Sequence, residues 1–278
     1  MRSILVVAQL TLHEAARRRV LAASLICGLA FLVLYAIGLY VIVHESARHP
    51  PPSLFQRRMM LNFLALAGLY AANFLTLLSA VLLPLDTLSG EIASGVAQTV
   101  AAKPVRRSAI VLGKWLAYAV VVAGYLALMV GGVLLVSRTV AHFTVPGVAR
   151  ALPILLVEAL VMVSVSIAGG ARFTTVTNGI VAFGLYGLAF LGSWVEQIGA
   201  MAQNDAARNV GTVASLIMPS EALWQLAAWH MQPPIMRDLQ LTPFSPASVP
   251  TTAMVAWAVG YVVIVLLVAV RQFSKRAL

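Results

Sequence analysis

Charged side chains are scarce in this chain: Asp, Glu, Lys and Arg make up 10% of its 278 residues. A water-soluble domain carries about 25% to cover its surface. A soluble enzyme, a disordered tail and a nucleic-acid-binding domain are therefore excluded as descriptions of the whole chain. Cysteine is scarcer still. The single Cys27 lies inside an apolar run, so it supports neither an intrachain disulfide nor a cysteine metal site and reads as a small buried hydrophobe.

Catalytic arrangements are missing as well. His13-Glu14-Ala-Ala-Arg17 and His44-Glu45-Ser-Ala-Arg48 begin like a zinc-protease motif, but each has arginine where the second metal-binding histidine must stand. Gly113-Lys114 ends like a phosphate-binding loop, yet Ser108 occupies its first glycine position and Trp115 follows where Ser or Thr is needed. The chain cannot hydrolyse a nucleotide by itself. The five histidines (His13, His44, His49, His142, His230) lie in loops or at the ends of apolar runs, and no pair of Asp residues lies inside one. Intramembrane nucleophilic and aspartyl chemistry are both unsupported. No metal site is expected.

What the chain has in abundance is apolar sequence: 61% of residues are hydrophobic. A bilayer core of about 30 Å needs roughly 20 apolar residues per helix. Six such runs are present: Val20–Val43, Met59–Leu85, Ala109–Val136, Ala151–Ala168, Thr175–Val195 and Thr252–Val270. The first is too long for the core of a signal peptide and no small-residue cleavage site closes it. The expected fold is all-α, a polytopic membrane protein with six transmembrane helices, read as one transmembrane domain over residues 1–278. Gly131, Gly132, Gly184, Gly187 and Gly192 are expected to allow close helix approach.

The net charge of +10 comes from 19 Lys+Arg against 9 Asp+Glu. With the N-terminus on the cytoplasmic side, the inner segments hold Arg2, Arg17, Arg18, Arg19, Lys103, Arg106, Arg107, Lys114, Arg172, Arg271, Lys275 and Arg276. The outer segments hold Arg48, Arg57, Arg58, Arg138, Arg150, Arg208 and Arg237. Twelve against seven orients both termini to the cytoplasm of a cell inner membrane, although the Arg57–Arg58 pair runs against the trend.

Three segments lie between or beside the spans. Residues 1–19 form an amphipathic stretch suited to the headgroup layer. The inner loop 86–108 is the most polar connection, and a short helix Ile92–Ala102 fits between Gly90 and Pro104. The outer segment 196–250 carries six prolines with Trp224 and Trp229, and two short helices are expected there, Gln197–Met218 and Pro219 to about Met231. One acid lies within a span. Glu158 sits about seven residues from the outer end of its run, roughly 10 Å deep. It must be paired, hydrated or protonated, through a substrate route or a bond to a Ser164-type hydroxyl or a tyrosine on another span.

The stretch Leu88-Ser-Gly90-Glu91-Ile-Ala-Ser-Gly95, running on through Lys103-Pro104-Val-Arg106-Arg107 to Leu112-Gly113-Lys114, resembles the ABC-2-type transporter permeases. Glu14-Ala-Ala-Arg17 looks like the end of that family's interfacial helix, and Met218-Pro219-Ser220-Glu221-Ala222-Leu223-Trp224 like part of its last outer loop. The resemblance implies a transport subunit acting as a homodimer or heterodimer of permeases, with ATP and Mg bound on a partner ATPase and no cofactor in this chain. It also implies that loop 86–108 is a coupling helix docking on the ATPase, with Glu91, Gly95, Lys103, Pro104, Arg106 and Arg107 as its key residues. Glu14 and Arg17 would serve the interfacial helix, and Glu158 a substrate path. Export rests on analogy. The rival readings are an ABC-like permease that matures or assembles an extracytoplasmic protein, and an ion-driven secondary transporter.

Overall fold

The computed structural model describes residues 2–46, 53–90, 106–238 and 249–275. They form ten helices and, among the described residues, no strand. In chain order the helices are α1 (Arg2–Ala16), α2 (Arg19–Ser46), α3 (Leu54–Leu82), α4 (Arg107–Ala141), α5 (Val148–Gly170), α6 (Thr175–Met201), α7 (Asp205–Ile217), α8 (Ser220–His230), α9 (Pro234–Asp238) and α10 (Thr252–Lys275). Six of them, α2 to α6 and α10, are long and apolar enough to cross a membrane, so the chain is a multi-pass membrane protein by helix length and composition.

The ends of these helices follow from local chemistry. Ser53 and Gln56 form a reciprocal capping box at the start of α3: the Gln56 N–H donates to Ser53 Oγ at 3.2 Å and the Ser53 N–H donates to Gln56 Oε1 at 3.1 Å. Asn204 caps α7 by accepting from the Ala207 N–H at 3.2 Å. Gly147 precedes α5 at φ +65°, and a Cβ there would stand 2.1 Å from the His230 carbonyl oxygen. Only glycine satisfies both the turn and the close approach.

The spans share the core unequally. α3 and α5 bury most of their surface, whereas α2 and α10 bury little and present apolar side chains outward. Lipid-facing helices need no polar face, which is why α2 is hydrophobic all round. Cys27 corrects the expectation from sequence: it lies on the outward face of α2 and is exposed. The core is built from Leu66, Leu69 and Leu77 of α3, Tyr118, Leu126 and Met129 of α4, and Leu155 and Met162 of α5. α1 packs along the first turns of α4, where Val7 and the Ile4 carbonyl lie against Gly113.

The segment after α6 also departs from the expected pattern. A single helix Gln197–Met218 does not form. α6 runs on to Met201, the chain turns at Gln203 (φ +54°), and α7 folds back antiparallel along the last turns of α6. Small residues make this hairpin: a Cβ on Gly192 would stand 2.4 Å from the Ala214 Cβ, and one on Gly211 would stand 2.4 Å from the Glu196 Cβ. Gly132 is likewise filled by Leu32, as expected, but Gly131, Gly184 and Gly187 face open space and carry no helix contact. α8 then returns through the bundle against α5, with most of its residues buried.

Candidate functional site: a clamped connection and a buried acidic cleft

The turn that leaves α3 enters the connection to α4, and polar side chains hold it from three sides. Asn178 of α6 donates to the Leu85 carbonyl at 3.1 Å and to the Ser166 carbonyl at 2.8 Å. The buried Lys114 of α4 donates to the Thr87 carbonyl at 3.1 Å. The Thr87 and Tyr118 hydroxyls share a hydrogen bond of 2.6 Å, and those of Ser89 and Thr175 share one of 2.9 Å. Arg18, in the turn between α1 and α2, completes the clamp by pairing with Glu14 at 2.5 Å and with Asp86. Two buried side-chain donors, Asn178 and Lys114, on the Leu85 and Thr87 carbonyls fix a turn that helix bonding alone would leave unsatisfied.

Of the residues expected in this region, Glu91, Gly95, Lys103 and Pro104 lie outside the described residues, as does the expected helix Ile92–Ala102. Arg106 precedes α4 as an exposed residue. Arg107 opens the helix and donates to the Ser274 carbonyl of α10 at 3.0 Å. Glu14 is paired, but with Arg18; Arg17 points to solvent.

The second site lies deeper, between α3, α5, α6 and α8. Glu158 is fully buried. Glu158 stands ten residues, about 15 Å, along α5 from its start at Val148. Its partner is neither a hydroxyl nor a tyrosine. The Asn73 amide of α3 donates to both carboxylate oxygens, each at 3.1 Å. Ser164 instead accepts from the Trp115 indole at 2.9 Å.

A second acid, Glu221 of α8, reaches the same region, and the two carboxyls lie within electrostatic range of each other and of the Tyr70 and Tyr186 hydroxyls. Burial pushes the Glu221 carboxyl up to about 7. Tyr70 packs on Trp224 with ring centres 5.0 Å apart, which seats α8 against α3. Glu221 also lines a cleft of about 100 Å³ with Ser193, Glu196, Thr212, Ser215 and Gln225. Gln225 donates to the Ser193 hydroxyl at 2.6 Å across its floor. At the other end of α8, Arg237 stacks over Trp229 at 4.1 Å and donates to the His230 carbonyl at 2.9 Å. Burial, with the charges of Arg237 and Arg150, holds the His230 imidazole below its ordinary value.

Sequence reading singled out Glu158 but passed over Asn73, Asn178, Arg18 and Glu221. A lone asparagine inside an apolar run is the signal that could have found the first two, because an amide there must have a partner. No model of a known protein family matches the chain, and no curated protein matches it.

Proposed function

We propose that this chain is the membrane-embedded permease subunit of an ATP-binding cassette transporter of the ABC-2 type, an exporter, driven by a separate ATPase subunit. The observation that carries this reading is the clamp on the α3–α4 connection. A connection that only joined two spans would need no buried lysine and asparagine holding its backbone, nor an ion pair tying it to a helix outside the bundle. A connection that must pass force from an external motor needs such stiffness, and its continuation carries the residues that resemble the family's coupling helix. In this reading ATP and Mg bind the partner. Its nucleotide-driven closure pushes on residues 91–105, and the clamp passes the motion into α3, α4 and α6. α1 lies in the headgroup layer of the inner membrane, both termini face the cytoplasm, and a second permease copy completes the transporter.

The buried Glu221, added to Glu158, gives some support to an ion-driven carrier as a second reading, because such carriers hold several acids at mid-membrane. One experiment separates the two. The chain is copurified from its native membrane with its bound subunits and reconstituted in liposomes. The first reading expects ATP hydrolysis that depends on this chain and falls in Glu91→Arg. The second expects substrate movement driven by an ion gradient with no ATPase present.

A further inference from the structure

In a chain with net charge +10, the cleft between α6, α7 and α8 is lined by two carboxyl groups and, among the described residues, by no lysine or arginine. Its other polar walls are the hydroxyls of Ser193, Thr212 and Ser215 and the amide of Gln225. All of these can offer oxygen to a cation. Glu221 is nine-tenths buried and lines the cleft, yet its carboxyl receives no hydrogen bond among the described residues. Ser220 Oγ, one residue before Glu221 in α8, is buried without a partner among the described residues. An acid nine-tenths buried at a cleft wall, with no donor among the described residues, is a place where a positive or hydrogen-donating guest would be stabilised.

We infer that this cleft is a binding site for a small monovalent cation, of the size of Na⁺, K⁺ or ammonium, held by Glu221 with Glu196 at its rim. Size supports the choice. A cleft of about 100 Å³ is well below the 300–1,000 Å³ typical of drug-sized ligands. Charge number supports it too, since no three His, Cys, Asp or Glu side chains come together to chelate a divalent metal among the described residues. Glu158 lies behind Glu221, within electrostatic range of it, and does not line the cleft. The titratable groups facing Glu221 are Glu158 on α5, Glu196 and Tyr186 on α6 and Tyr70 on α3; α7 and the start of α10 give the cleft only Thr212, Ser215 and uncharged neighbours. The site belongs to this chain whether or not an ATPase drives it.

The test is thermal unfolding of the purified chain in nanodiscs at pH 8, in NaCl, KCl or NH4Cl against N-methylglucamine chloride of equal ionic strength. A bound cation at ten times its Kd should raise the melting temperature by about 3–6 °C. The rise should vanish in Glu221→Gln and at pH 5.5. An equal response to N-methylglucamine, stability that follows pH alone, or a rise retained in Glu221→Gln would each overturn the proposal. Should Glu221→Gln not fold, equilibrium binding of ²²Na⁺ or ⁸⁶Rb⁺ to the unaltered chain decides. Saturable binding at pH 8 that disappears at pH 5.5 supports the site, and no binding of either ion refutes it.

Discussion

The Asn73 amide of α3 bridges both carboxylate oxygens of Glu158 on α5, 3.1 Å from each, at the middle of the bundle. The pair ties together the two most buried spans. Replacing Asn73 with Ala strands a buried acid without its donor, so Asn73→Ala should lose about 1–3 kcal/mol of stability. Glu158→Gln keeps a polar contact and should lose less. Denaturation in detergent micelles compares the two, and equal losses would mean that the bond holds nothing together.

Stability should also depend on pH through Glu221. Burial raises its folded-state pKa to about 7, above the ordinary value of 4.5. The folded chain therefore holds a proton that the unfolded chain has released between those pH values. The stabilising contribution is full below about pH 4.5, declines as pH rises towards 7, and levels off above it. Glu221→Gln should flatten that slope in a melting series from pH 5 to pH 8 without added metal ions.

Gly147 makes a sharper stability prediction. Its φ of +65° and the 2.1 Å between a built Cβ and the His230 carbonyl leave no room for a side chain. Gly147→Ala should cost about 1–3 kcal/mol by pushing the α4–α5 turn off the end of α8. Gly184→Ala, where a Cβ meets open space, is the matched control and should be close to neutral.

The Arg18–Asp86 contact should matter to coupling more than to folding. Both side chains are partly exposed, so the pair is worth about 1 kcal/mol or less. Asp86→Arg places like charges together at the joint between α1 and the α3–α4 turn. Melting should barely move, while ATP hydrolysis coupled to the chain should drop by about 5- to 100-fold, the range of ordinary coupling energies. A variant that hydrolyses ATP at full coupling would remove the latch from the account.

The spans were legible because six apolar runs long enough for a bilayer leave little choice of structure. The helices after α6 were legible only in part. Gln197–Met218 has helical character throughout, but Asn204 caps a new helix and the glycines at 192, 199 and 211 let it fold back, a contact that no local pattern encodes. Glu158 stood out as an acid in an apolar run. Its partner Asn73 did not, because one amide among apolar residues carries no charge to flag it. Glu221 fell in the expected helix Pro219 to Met231 of an outer segment, where nothing local marks it as buried; its burial comes from α8 packing against α5 and α6. Arg18 was hidden among three consecutive arginines, where only the helix turn decides which one faces Asp86.

Crosslinking from the α3–α4 connection tests the central claim most directly. In native membranes, on a Cys27→Ser background, a photoreactive probe attached at Gln98→Cys should react from the cytoplasmic side and form an adduct with an ATP-binding subunit. Glu91→Arg should weaken that adduct. If the probe is reached only from the opposite side of the bilayer, or if no ATP-binding subunit is trapped, this connection is not gripped by a motor and the account is wrong.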